Sequence, residues 1–187
     1  ENRIQAFKVT VDTAPLFDAL ADAQSRFDAP ERLVAVCETA ARSGVRTPRI
    51  LYFYGTALRS VRGRQGEASA VLARVNPDSP YHLLALYSLG QIAAERRDVA
   101  AADLFRRVEQ GAGGLEGGGF LAARAARSRA ELLLASGRGA EAAPVFEALL
   151  RKGTTPMDRI GLASAGKDPV PALERLPAEM IAGLPLK

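Results

Sequence analysis

Two dipeptides, Thr47-Pro48 and Ser79-Pro80, stand 32 residues apart, and each opens the same pattern of an apolar stripe, a turn and a second stripe. The stretch from Ser79 to Val108 shows it best. Leu83, Leu86, Leu89, Gly90 and Ala93 recur at spacings of three and four along a first helix, and Ala101, Leu104, Phe105 and Val108 along a second. Neither helix can bury its stripe alone, so the hairpin has to stack on neighbours. Related hairpins lie on both sides of it, and Thr155-Pro156 repeats the opening dipeptide after the last. This recurrence restricts the chain to a stack of antiparallel helical hairpins.

In chain order, residues 1–11 alternate apolar and polar side chains and read as an extended lead-in. A helical repeat domain follows over 12–156, with hairpins near 12–44, 48–77, 80–110 and 120–153. Asp12 or Thr13 is the expected N-cap of the first helix, and Asp28, followed by Pro30 and Glu31, that of the second. Ser43-Gly44, Gly63 and Gly137 supply turns. Six of the nine residues from Gly111 to Gly119 are glycine, which predicts a flexible loop between repeats. Residues 157–187 carry prolines at 169, 171, 177 and 185 and are expected to form an irregular C-terminal cap.

Composition supports helix. Alanine is the commonest residue with 35 copies, tryptophan is absent, and β-branched runs are few, so intrinsic propensity favours an all-α chain. With 48% hydrophobic and 25% charged residues the chain has the balance of a folded globular protein. Of 25 basic residues 21 are arginine, yet the net charge is only +4 and no dense basic block occurs. An Ala- and Arg-rich, Lys-poor composition is what a GC-rich bacterial coding sequence produces, and nucleic acid is an unlikely partner by this reading. The single cysteine, Cys37, excludes an internal disulfide and a cysteine-based zinc cluster. No apolar run reaches the ~18 residues that span a bilayer, so no membrane insertion is expected of these residues. The chain begins at Glu1 instead of Met, which suggests an upstream segment and leaves cytoplasm and periplasm or cell envelope open as its location.

The hairpins resemble tetratricopeptide (TPR) repeats, which have a small residue midway along the first helix, a large one three later, a glycine or turn, then a small residue and an aromatic in the second helix. Gly55, Leu58, Gly63, Ala68 and Leu72 match one repeat; Gly90, Ala93, Ala101 and Phe105 a second; Ala130, Leu133, Gly137, Ala142 and Phe146 a third. Pro80 and Pro156 fall near the family's closing position, and Leu51, Leu86 and Ala126 stand where it has tryptophan. The resemblance implies a right-handed α-solenoid of about three to four repeats, with a concave groove lined by the first helix of each pair. It also implies a role in holding other proteins.

Counted from the small residue, the groove-facing positions are Arg49, Tyr52, Thr56 and Arg59 in the first repeat, Tyr87 and Gln91 in the second, and Arg124, Arg127 and Glu131 in the third. Such a strip is mainly cationic and carries two tyrosines, which suits an extended partner segment bearing acidic residues. Some TPR domains clamp a C-terminal carboxylate with Lys and Asn; Tyr52, Thr56, Tyr87 and Gln91 occupy those positions here, so that clamp is not carried over. His82 has no nucleophile and base near it in sequence, and Cys37 with His82 lacks further metal ligands. The glycine-rich stretch lacks the Gly-Lys-Ser/Thr of a phosphate-binding loop. The expectation is therefore a non-enzymatic protein–protein interaction scaffold or adaptor with no catalytic, metal or cofactor site. The alternatives are a helical accessory domain of a larger enzyme or regulator, and a self-assembling repeat that forms a homo-oligomer.

Overall fold

The structure, a computed structural model, describes residues 13–26, 29–151, 161–162 and 164–165. Among the described residues the chain is all-α, with eight helices and no strand. The expected lead-in at 1–11 and most of the expected cap at 157–187 lie outside the described residues. The helices form four consecutive pairs: α1 (Ala14–Ser25) with α2 (Pro30–Arg42), α3 (Pro48–Ser60) with α4 (Gln65–Leu72), α5 (His82–Glu95) with α6 (Ala100–Gly113), and α7 (Gly119–Ala135) with α8 (Gly139–Arg151). The chain divides into two compact units, Glu1–His82 and Leu83–Lys187.

Local chemistry explains where the helices of the first unit begin and end. The Thr47 side chain accepts from the Ile50 backbone N–H at 3.1 Å, with Pro48 preset in the first turn and Thr47 itself held extended by the proline that follows. The same hydroxyl donates to Asp18 of α1 at 2.7 Å, tying the start of α3 to the first helix. The second helix starts differently from expectation. Asp28 lies outside the described residues, and the residue before Pro30 is Ala29, which has no side-chain acceptor. α2 ends at a left-handed Gly44 (φ +81°), where the Val45 N–H reaches the Ala40 carbonyl at 2.9 Å.

Within this unit α1 packs on α2 and α3, α2 on α3, and α3 on α4. At Gly55 of α3 the side chain of Leu72 of α4 comes close enough that a Cβ would stand 2.7 Å from Leu72 Cδ2. Tyr54, Glu38, Glu67 and Arg64 join α2, α3 and the start of α4. The Tyr54 hydroxyl reaches Glu67 at 3.0 Å and Glu38 at 3.4 Å, and Arg64 donates to both carboxylates. Burial, with help from the Glu67 hydrogen bond, pushes the Tyr54 hydroxyl up to about 12.

The second unit repeats the plan. Gly90 of α5 faces Phe105 of α6, where a Cβ would lie 2.8 and 2.9 Å from two ring carbons. Tyr87, Leu86, Ala101, Phe105, Val108 and Ala125 close one core, and Ala126, Ala130, Leu133, Ala142, Phe146 and Leu149 close the next. Phe105 and Phe146 are almost fully buried, each removing enough apolar area to contribute roughly 1.5–3 kcal/mol. Leu162 and Ala165 pack against the core of α7 and α8.

Two features depart from the sequence pattern. The stretch Gly111–Gly119 is not one loop, because α6 continues through Gly113 and α7 begins at Gly119. Ala112 is fully buried and Gly111 lies against Leu83, so packing holds the last turn helical despite its glycines. The turn after α5 also lacks a glycine where the turns after α2 and α7 have Gly44 and Gly137. Arg97 takes the left-handed conformation there (φ 57°), with the Asp98 N–H reaching the Ala93 carbonyl at 2.9 Å.

Candidate functional site

In the first unit Arg49, Tyr52, Thr56 and Arg59 fall on one strip of α3, and all four are half-buried. Arg49 donates through Nε to the Tyr81 hydroxyl at 2.6 Å, and its guanidinium carbon is 5.8 Å from the centroid of that ring. An Asp22 oxygen lies 3.9 Å from its Nη2. The hydrogen bond to Tyr81, and then the nearby aspartates Asp22 and Asp18, hold the guanidinium above its ordinary range.

Tyr52, Phe53 and Tyr81 form a three-ring cluster with centroids 5.5 to 6.4 Å apart. The sequence strip omits Phe53 and Tyr81. The signal for Tyr81 was the repeat itself: it follows Ser79-Pro80 as Arg49 follows Thr47-Pro48, so Arg49 donates to its own counterpart one repeat on.

Beside these rings α1, α2 and α3 line an open pocket of about 390 Å³ whose lining includes Tyr52, Phe53, Leu33, Ala57, Ser25, Thr56 and Ser60. Ser25 donates to the Asp22 carbonyl at 2.7 Å and Thr56 to the Phe53 carbonyl at 2.9 Å. Both hydroxyl protons are therefore engaged within their own helices, and each oxygen keeps acceptor capacity.

The strip of the second unit is less uniform. Tyr87 does not lie on an open surface: it is 7% exposed, 5.6 Å from the Phe105 ring, with its hydroxyl 3.2 Å from Ser128 Oγ. The reason is that α5 carries no charged side chain between His82 and Ala94, and a helix apolar on most sides is buried on most sides. Gln91 and Arg127 are half-buried, while Arg124 and Glu131 are exposed. Arg124 lies over the Tyr87 ring at 4.9 Å and over the Phe120 ring at 5.7 Å. On another part of α7, Arg129 donates through Nε and Nη2 to Glu109 of α6 at 3.1 and 2.9 Å.

Among the described residues no group of three or more His, Cys, Asp or Glu is placed to hold a metal, and no helix is long and apolar enough to cross a membrane. Cys37 is fully buried, and burial followed by the Glu38 charge pushes its thiol up to about 12, the opposite of an activated nucleophile.

No protein-family model matches the chain, and no curated protein sequence matches it. Solved structures do. The structure described as "MamA RS-1 ArsTM double mutant" shares 20% sequence identity with this chain and superimposes with a TM-score of 0.68, covering 88% of this chain and 90% of that one. At that identity the likeness speaks to fold alone. MamA contains TPR repeats, and the chain therefore has a TPR-like helical fold.

Proposed function

We propose that the protein is an interaction module that binds, and does not chemically transform, an extended acidic segment of a partner protein on the strips of its first-of-pair helices. The fold supports this at the coarse level, since a TPR-like scaffold offers helix faces to other proteins. The observation that carries the finer reading is the open pocket of about 390 Å³ lined by Tyr52, Phe53 and Thr56. Its rings provide rigid apolar area, and its hydroxyl oxygens accept hydrogen bonds of the kind that the backbone N–H groups of an extended chain donate. Arg49, one ring removed from the cavity through Tyr81 and Tyr52, keeps N–H donors beyond the one it gives to Tyr81 and adds positive charge to this strip.

The test is an array of extended acidic peptides probed with the wild-type chain and with the Tyr52→Ala and Thr56→Asp variants. Wild type should select acidic peptides. Thr56→Asp, which places a carboxylate at the cavity edge, should weaken them by about tenfold while circular dichroism stays unchanged. Equal binding by wild type and both variants would remove the cavity from the site, and no selection of acidic over neutral peptides by wild type would remove the function.

A further inference from the structure

The arginines packed at the interhelical contacts are already engaged: Arg49 by Tyr81, Arg64 by Glu38 and Glu67, Arg129 by Glu109. Arg124 is different. Among the described residues no hydrogen-bond acceptor and no carboxylate pairs with it, yet its guanidinium lies over the rings of Tyr87 and Phe120 at 4.9 and 5.7 Å. A cation lying over ring faces is attracted by their π-electrons and gives up none of its N–H donors in doing so. Tyr87 is a fixed platform, buried against Phe105 and tied through its hydroxyl to Ser128, one turn beyond Arg124 on α7. These ring contacts favour one placement of the arginine before any ligand arrives, which reduces the ordering cost that usually weakens an arginine contact. Phe120 is 75% exposed, so the unpaired cation stands beside an uncovered apolar ring.

We infer that Arg124 and Phe120 form a two-part recognition site for an acidic residue and its bulky apolar neighbour in a partner's extended segment. The guanidinium takes the carboxylate through two N–H donors, and the exposed ring takes the apolar side chain. The inference rests on the reading of these strips as partner-docking surfaces and names the sequence chemistry that the second unit selects.

The experiment measures fluorescence anisotropy with a labelled decapeptide carrying two Glu-Phe steps in a Gly-Ser background. Its Gln-Phe, Glu-Ala and phosphoserine-Phe counterparts are measured in parallel. Wild type should bind Glu-Phe at least about tenfold more tightly than Gln-Phe. Arg124→Gln should abolish that discrimination. Arg124→Lys, which keeps the charge but loses the planar fork and the stacking, should keep the preference for Glu while losing about tenfold in affinity. Phe120→Ala should flatten the preference for Glu-Phe over Glu-Ala. Arg124→Gln discriminating Glu from Gln as wild type does would overturn the site, as would equal binding of Glu-Phe and Gln-Phe by wild type. Preferential capture of the phosphoserine peptide with no binding of Glu-Phe would overturn the carboxylate assignment. Thr56→Asp separates the two proposals. Binding lost in Arg124→Gln but kept in Thr56→Asp retains this site and rejects the cavity of the first unit, and the reverse pattern rejects this site alone.

Discussion

Replacing Gly90 by alanine adds one methyl group to α5 at the point where α6 comes closest. The new Cβ would stand 2.8 Å from Phe105 Cε1, 2.9 Å from Cδ1 and 3.2 Å from Cζ, against the ~3.5–4.0 Å at which carbon atoms pack comfortably. The ring has nowhere to go. Phe105 is 1% exposed, the Tyr87 ring lies 5.6 Å away, and Val108 is fully buried one turn on. Overpacking of this kind costs about 1–3 kcal/mol. Against it stands the better helix propensity of alanine in a helix interior, about 0.8–1 kcal/mol. The net expectation is a loss of up to about 2 kcal/mol.

Urea unfolding followed by far-ultraviolet circular dichroism would measure it, with Gly113→Ala as the control. Gly113 is also helical, at the end of α6, and a Cβ there meets nothing within 4 Å. The control should be neutral or stabilising by a few tenths up to ~1 kcal/mol. One chemical change thus carries opposite signs at two positions. Adding Phe105→Leu to Gly90→Ala should recover part of the loss, with a favourable coupling of about 0.5–3 kcal/mol between neighbours. If Gly90→Ala stabilises as much as Gly113→Ala, the close crossing of α5 and α6 at this glycine is refuted.

Two further substitutions test the local reading. Arg97→Gly should stabilise the chain by ~0.5–1 kcal/mol, because it removes a side chain from a left-handed position that the turns after α2 and α7 give to glycine; a lower urea midpoint would contradict this. Cys37 should be inert to a thiol reagent in the folded protein and react once urea unfolds it. Since its folded pKa is raised from 9.0 to about 12, the folded state holds the thiol proton more tightly. Its contribution to stability is therefore complete below about pH 9, falls as pH rises beyond that, and is lost by about pH 12. Cys37→Ala should make the alkaline decline in the urea midpoint shallower, and an unaltered decline would show that the thiol is not buried as described.

Much of the fold is legible in the sequence where the chemistry is local. The Thr47-Pro48 start, the Gly44 and Gly137 stops, and the three-and-four spacing of apolar residues each act within a turn or two of chain, so the composition and pattern alone specify helices. The small-against-large pairing was also readable, because Gly90 and Phe105, like Gly55 and Leu72, fall in the first and second helices of successive hairpins. The glycine-rich stretch misleads for the opposite reason: the burial of Ala112 outweighs the poor propensity of the glycines around it, and burial is not a local property.

The candidate site divides along the same line. Helical periodicity by itself put Arg49, Tyr52 and Thr56 on one strip of α3, and Arg124 and Arg127 on one strip of α7. Tertiary packing decided what each can do. It buried Tyr87 because α5 is apolar on nearly every side, and it engaged Arg49 with Tyr81. It left Arg124 over two rings with no acceptor among the described residues. Spacing along a helix determines which side chains share a face, whereas the charge and hydrogen bonds left available on that face depend on neighbours brought from distant parts of the chain.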